Sequence, residues 1–462
     1  MVNKADVEQV QKLENCDPPY PSSSAVGYTV GVLTIGFVVA YLDRQVISIL
    51  LEPIRLSLGL TDTQLSLVQG FAFSLFFVLA GIPIGRLVDR ANRRNVLIGG
   101  LICWTAATFA CGLAQNFWQL FLARMLVGIG EACLAPTGYS IVADIVRPGR
   151  RGLAMGFLTG GTAVGAAGSI FIGGLLLEMF AEGLHIAPLG HVASWQIVFF
   201  LVSLPGVPLI LMLFTVAEPA RREKVAIGPS DATFVQFVRR HPAGFGLTFA
   251  AFASNLICGI ATMVWIPVVL MRIYKVPAVE LGATIGALML VVGGLASTIG
   301  GAAGDWLQTR APSIGRLGVP LLAFPLLILL ALFWYFVEGA TPTIIYYGLS
   351  CGLVGSIING SSFSAINQMV PNNMRGQAVT AFLVVGNFAG LGLAPTAVAL
   401  VTDYVLKDPM QVQLSVILVA IPAQMTGLLL TLLALKPYRR TCEAAAAMTQ
   451  ASTAMVGSTK PI

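Results

Sequence analysis

Two acids and two arginines stand inside long apolar runs: Asp43 and Arg44 in one, Arg124 and Glu131 in another. A charge at the centre of a bilayer costs at least about 2.5–3.5 kcal/mol on insertion scales, so four such residues on two segments need a compensating role. Burial favours the neutral carboxylic acid and a nearby arginine favours the carboxylate, so making and breaking one ion pair can load and unload a proton. The chemistry expected is proton uptake and release at Asp43 or Glu131, with Arg44 and Arg124 as charge partners or as a clamp on an anionic substrate group. The alternative is a static pair that merely joins two helices, a poor source of stability once desolvation is counted. Because two coupled carboxylates share their titration, the sequence does not say which is the primary carrier.

Helical geometry sharpens this expectation. If one helix runs from residue 27 and the other returns from residue 117, a rise of 1.5 Å per residue brings Arg124 nearly level with Asp43 and Arg44. Glu131, seven residues beyond Arg124, projects from almost the same face, with Gly128 between them. That face is suited to line a cavity.

The elements that must position these groups follow from composition. Of 462 residues, 56% are hydrophobic and only 10% charged, against about 25% charged in an ordinary globular domain. A mean hydropathy of +0.84 completes the case for a polytopic membrane protein. No cleavable leader pattern precedes the first apolar run, so that span is expected to remain in the mature chain. Twelve helices are predicted, at 27–52, 65–87, 95–114, 117–146, 152–180, 194–217, 244–272, 280–307, 317–337, 342–370, 376–403 and 411–435. The side holding both termini carries 21 of the 27 Lys and Arg residues and the other side four, Arg55, Arg272, Lys275 and Lys407. This asymmetry predicts cytoplasmic termini, most simply in a bacterial cytoplasmic membrane.

The longest polar break divides the chain: an N-terminal tail (1–26), a six-helix bundle (27–217), a linker (218–243), a second bundle (244–435) and a C-terminal tail (436–462). The halves echo each other, with GRLVD at 85–89 matched by GAAGD at 301–305, and Pro148 with Arg151 matched by Pro371 with Arg375. Parallel repeats of this kind build transporters with a midplane site between two rocking bundles. In the segment from Gly85 to Arg94, Gly85 is expected to permit close helix approach and Asp89 to cap the next helix. Arg90, Arg93 and Arg94 are expected to reach carboxylates such as Asp144. With Arg151, Asp305 and Arg375, these residues form a candidate gate on the cytoplasmic side. Glycines in helices five, eight and eleven suit close, sliding contacts. The cavity is expected to be lined by Tyr41, Asn255, Thr262, Trp265, Asn359, Phe363, Asn367, Phe382 and Asn387, with no deep charge in its second half.

Other chemistries are disfavoured. The seven cysteines, Cys16, Cys103, Cys111, Cys133, Cys258, Cys351 and Cys442, include no CxxC and read as small core residues. His185, His191 and His241 fall near loops with no cysteine beside them, so no metal site is expected. Gly348-Leu-Ser350-Cys-Gly352 spells the nucleophile-elbow string, but inside a membrane helix and with no histidine at that depth. No Walker A string points to ATP, and the positive charge is a membrane-topology signal and not one for nucleic acid. The chain is therefore read as a non-enzyme with no cofactor beyond the proton as coupling ion.

With these residues in place, the sequence resembles the major facilitator superfamily over residues 27 to 435. Gly85 to Arg94 matches its signature loop, and Arg124 with Gly128 and Gly130 matches its helix-four signature. Within the superfamily it most resembles the spinster lipid transporters, in Tyr41, Asp43 and Arg44 of helix one and in RMLVGIGEA from Arg124. The resemblance implies an all-α fold of twelve helices in two pseudo-symmetric six-helix bundles, proton-coupled alternating access, and a lysolipid or sphingolipid-like amphipathic substrate. It assigns proton coupling to Asp43 and Glu131, and it leads us to expect a monomer. Trp306, where an arginine would follow Asp305, weakens the expected lock in the second half. A proton-driven symporter of small organic anions is the competing reading, and a non-transporting receptor or scaffold a third.

Overall fold

The computed structural model describes residues 20–187, 190–221, 234–312, 314–371 and 374–458. Cys16 and most of the expected N-terminal tail, the middle of the expected linker and the last four residues lie outside the described residues. Among the described residues, twelve helices are long and apolar enough to cross a membrane. They are α1 (Ser23–Leu58), α2 (Asp62–Arg90), α3 (Arg93–Gly112), α4 (Phe117–Ile145), α5 (Gly149–Met179) and α6 (Ser194–Thr215). After the linker come α7 (Pro242–Arg272), α8 (Ala278–Arg310), α9 (Gly315–Phe336), α10 (Ala340–Gln368), α11 (Arg375–Leu406) and α12 (Pro409–Gln450).

Polar residues at the turns set the helix ends. Ser22 caps α1, and Gly59 stops it in a left-handed conformation at φ 63°. Thr61 and Gln64 form a capping box on α2, and Asn92 and Asn116 cap α3 and α4. Between α5 and α6 lies a small hairpin, β1 (Leu184–Ile186) against β2 (Gly190–Val192), with His185 opposite His191. The largest departure from the sequence expectation is at the C-terminus, where the last helix continues to Ser458 through what reads as a polar tail. The reason is packing: Tyr438 and Ala445 are buried in one cluster with Phe237 of a short linker helix, Phe234–Arg240.

Contact between the first and second six helices is concentrated at the face away from the termini, where one apolar core runs across the divide. There a Cβ on Gly70 of α2 would overlap the Leu391 carbonyl of α11, and one on Gly282 of α8 would lie 2.6 Å from the Ile170 carbonyl of α5. Only a hydrogen fits at such approaches. Toward the terminal face the same helices part: a Cβ at Gly85, Gly156, Gly160 or Gly376 would meet nothing within 4 Å. The close approach expected of Gly85 is therefore not made in this conformation, because the bundles are spread on that side.

Candidate functional site

α1 and α4 bring the four membrane-embedded charges together as a crossed pair of ion pairs. Arg44 donates to Glu131, Nη2 to Oε2 at 2.5 Å and Nε to the same oxygen at 3.1 Å. Its chain neighbour Asp43 faces Arg124 instead, with Oδ1 at 3.6 Å from Nη1, and accepts a hydrogen bond from the Thr108 hydroxyl of α3. Each helix thus supplies one acid and one base to the other. The Arg44 guanidinium also lies over aromatic rings, 4.7 Å from the centroid of Tyr41, 4.6 Å from Phe73 and 5.1 Å from Phe77. Phe73 is 5.8 Å from Arg124 as well, so one ring separates the two cations.

This cluster is buried yet incompletely hydrogen-bonded. Among the described residues, Glu131 Oε1, Asp43 Oδ1 and all three guanidinium nitrogens of Arg124 make no hydrogen bond, although the Arg124 side chain is 0% exposed. An unsatisfied buried polar group costs about 1–3 kcal/mol and a charged one more, so a purely structural brace would be expected to complete these bonds. Thr108, Phe73 and Phe77 went unread in the sequence, since one hydroxyl and two rings in apolar runs carry no local signal.

Across the divide, α7, α8 and α10 enclose a pocket of about 210 Å³, lined by Asn255, Gly259 and Met263, by Met289 and Gly293, and by Tyr347, Cys351, Gly355 and Asn359. π-helical turns at Met289–Gly293 and Gly348–Gly355 shape two of its walls. The two expected asparagines meet there, Asn255 Nδ2 donating to Asn359 Oδ1 at 3.1 Å. Gln45 lies within 3.9 Å of Met263, which joins the pocket to the charged side. Thr262, Trp265 and Phe382 depart from the expectation, since all three are buried in packing and none lines this pocket. Residues 255, 259 and 263 share one face of α7, which turns Trp265 away, while Thr262, beside Asn255 on that face, is covered by packing. Trp265 instead donates to the Pro395 carbonyl of α11 at 3.1 Å. Phe382 packs among Phe249, Phe252 and Phe363. Tyr41, Phe363, Asn367 and Asn387 retain accessible surface.

The expected gate residues do not meet across the bundles. Arg93 is buried and ties the terminal end of its own half: it pairs with Asp144, donates to Ser140 Oγ at 2.9 Å and Glu218 Oε1 at 2.9 Å, and reaches the Pro219 carbonyl at 2.8 Å. Arg94 contributes its amide to Glu218 at 2.9 Å. Asp89 does not cap α3, a position taken by Asn92; its side chain is exposed, and its carbonyl accepts from Arg221. Arg90 and Arg375 are exposed, and Arg151 donates to the Val146 carbonyl just before its own helix. In the second half, where Trp306 follows Asp305, Arg316 pairs with Asp305 at 2.8 Å and donates to Gln368 Oε1 at 2.7 Å. Gln368 stands where the offset from Arg151 to Arg375 places Asp144, a neutral acceptor in place of the acid, while Arg316 lies seven residues past the position matching Arg93. Arg93→Ala is expected to cost about 3–5 kcal/mol, since it strips the guanidinium from buried Asp144. Exposed Arg90→Ala should stay within about 0.5 kcal/mol. The thermal midpoints of the purified variants check both values.

A true tie between halves sits at the opposite face. Arg272, at the end of α7, is almost wholly buried. It donates to Asp62 Oδ2 and Oδ1 at 2.7 and 2.8 Å, to Glu52 Oε2 at 2.8 Å and to the Pro409 carbonyl at 3.1 Å. Asp403 of α11 adds a second tie, accepting from the Thr63 amide at 2.7 Å and hydroxyl at 2.6 Å.

Twelve helices, paired halves, a split on one face and a charged centre define a secondary-transporter architecture. The profile of the Major Facilitator Superfamily matches residues 33–395, and the chain belongs to that family of transporters. It is 26% identical over 417 residues to an MFS-type efflux pump of Mycolicibacterium smegmatis, covering 89% of this chain and 93% of that protein. A shorter stretch of 152 residues is 34% identical to the sphingosine-1-phosphate transporter SPNS2 of Mus musculus, 30% of this chain and 28% of that one. Among solved structures, a bacterial homologue of the human lysosomal transporter Spinster, in an inward-facing and unoccupied conformation, superposes with a TM-score of 0.75 at 24% identity. That match covers 92% of this chain and 99% of the other, and it establishes the shared fold.

Proposed function

We propose that the protein is a proton-coupled transporter that moves an amphipathic, lipid-like molecule, such as a lysolipid or a sphingolipid-like compound, by alternating access. The observation that carries this reading is the crossed, under-satisfied pairing of Asp43 and Glu131 with Arg124 and Arg44. A proton on Glu131 removes the anion opposite Arg44, and a proton on Asp43 does the same for Arg124. In each case a cation is released toward the cavity, where it can hold an anionic headgroup. The apolar pocket beyond Met263 suits an aliphatic chain, which supports an amphiphile over a small organic anion. The similarity of one stretch to a sphingosine-1-phosphate transporter points the same way.

In this reading the terminal face, which holds most of the basic residues, is cytoplasmic, and the conformation is open to the inside. The test is transport in proteoliposomes under an imposed pH gradient, with a fluorescent lysophospholipid as cargo and a pH dye inside. Lipid movement that follows the gradient in sign, with matching proton movement, is the expected result. Lipid flux indifferent to the gradient would remove the coupling, and gradient-driven flux of a small carboxylate with none of the lysolipid would favour the organic-anion reading.

A further inference from the structure

The pocket enclosed by α7, α8 and α10 is apolar along Leu256, Ile260, Met263 and Met289, and no charged side chain among the described residues lines it. Of its polar residues, Ser356 donates its hydroxyl to the Cys351 carbonyl at 3.0 Å, and the Tyr347 hydroxyl is wholly covered. What the pocket offers a ligand is the amide pair of Asn255 and Asn359. Chemistry fixes how these two amides are turned. Asn255 Nδ2 donates to the Gly355 carbonyl at 3.2 Å, an oxygen that can only accept, and to Asn359 Oδ1 at 3.1 Å. Asn255 Oδ1 and Asn359 Nδ2 are therefore the remaining acceptor and donor. Neither makes a hydrogen bond among the described residues, and both keep accessible surface, unlike the sealed atoms of Arg124. Asn255 is only 3% exposed, so the pocket is the space its free oxygen faces.

An acceptor and a donor side by side match a group that both donates and accepts, such as a hydroxyl or a secondary amide. In apolar surroundings an unmatched hydroxyl is costly to bury, and a fork built to bond one disfavours a ligand that lacks it. Depth adds a second condition. α7 starts at the terminal face, and Asn255 stands eight residues, about 12 Å, before Met263, which Gln45 approaches at 3.9 Å. Gln45 follows Arg44 in the chain, so the fork lies well to the terminal side of the charge cluster.

We infer that Asn255 and Asn359 select a cargo whose chain carries a hydroxyl or secondary amide at a distance from its anionic head. This rests on the amphiphilic cargo proposed above and names what its chain carries. Two isomers test it, lysophosphatidic acid with a 12-hydroxystearoyl or a 2-hydroxystearoyl chain, which differ only in the depth of the hydroxyl. Each displaces a fluorescent lysophospholipid from purified full-length protein in nanodiscs, without a pH gradient, in wild type, Asn359→Leu and Gly259→Val.

Wild type should bind the 12-hydroxy isomer about tenfold more tightly, as expected for one or two buried hydrogen bonds. Asn359→Leu should lose that preference while still binding the 2-hydroxy isomer, which shows that it is folded. Gly259→Val should weaken the 12-hydroxy isomer as well, because a Cβ there meets nothing within 4 Å and enters the pocket. Equal binding of the isomers by wild type, an undiminished preference in Asn359→Leu, or full affinity in Gly259→Val overturns the inference alone. Displacement by neither isomer in wild type overturns the lipid-like cargo itself and the inference with it.

Discussion

Arg272→Gln should swing the face away from the termini open. In the wild type this guanidinium is buried between Glu52 of α1 and Asp62 of α2 while its own backbone belongs to α7, so its bonds cross the line along which the halves must separate. Removing one member of a buried charge set costs about 3–5 kcal/mol, because the partners are left desolvated. The cheapest relief for Glu52 and Asp62 is to part from the second half and rehydrate. A shift of that size moves the closed-to-open ratio by a hundredfold to a thousandfold or more. Spin labels at Ser57 and Met410, both exposed near this face, report it as a longer distance population. Asp403→Asn should act in the same direction but more weakly, since the Thr63 hydroxyl and amide can still bond to the amide oxygen. An unchanged distribution in Arg272→Gln would mean that the glycine contacts and the Asp403–Thr63 tie keep this face shut without it.

The second large effect belongs to Glu131. Glu131→Gln keeps the shape of the side chain but removes the charge that Arg44 meets at 2.5 Å. Arg44 then keeps a neutral amide oxygen as acceptor and the rings of Tyr41, Phe73 and Phe77, but no anion opposite it. Gradient-driven transport should fall about a hundredfold or more, equivalent to roughly 2.7 kcal/mol. Exchange of substrate across a membrane without a pH gradient should survive and lose its dependence on pH. Asp43→Asn should show the same split, whereas Thr108→Val, which removes only a hydroxyl contact to Asp43, should leave coupling intact at a reduced rate. If both acid variants remain gradient-driven, the crossed pairs are a brace between α1 and α4 and the proton travels elsewhere.

These two sites differ in how visible they were beforehand. Asp43, Arg44, Arg124 and Glu131 stood out because each interrupts an apolar run, and a fixed rise per residue places the two pairs at one depth. Glu52, Asp62 and Arg272 did not, for charges at the ends of membrane helices are ordinary. Arg272 lies 220 residues from Glu52 and 210 from Asp62, so nothing local marks them as partners. Arg316 escaped notice for a related reason: the motif was read for an arginine next to Asp305, whereas the bond comes from eleven residues further on.

The sequence by itself determined the twelve spans, the repeat of two halves, the family resemblance and the level at which the buried charges meet. All of these depend on hydropathy along short stretches and on helical rise, which are local quantities. Tertiary structure alone decided that Asp43 faces Arg124 while its neighbour Arg44 faces Glu131, that Trp265 and Thr262 turn into the packing, and that the tie between halves sits at Arg272. Those outcomes depend on the rotation of each helix about its axis and on how two bundles dock. Small side chains such as Gly70 and Gly282 permit that docking without specifying which of its states the chain adopts.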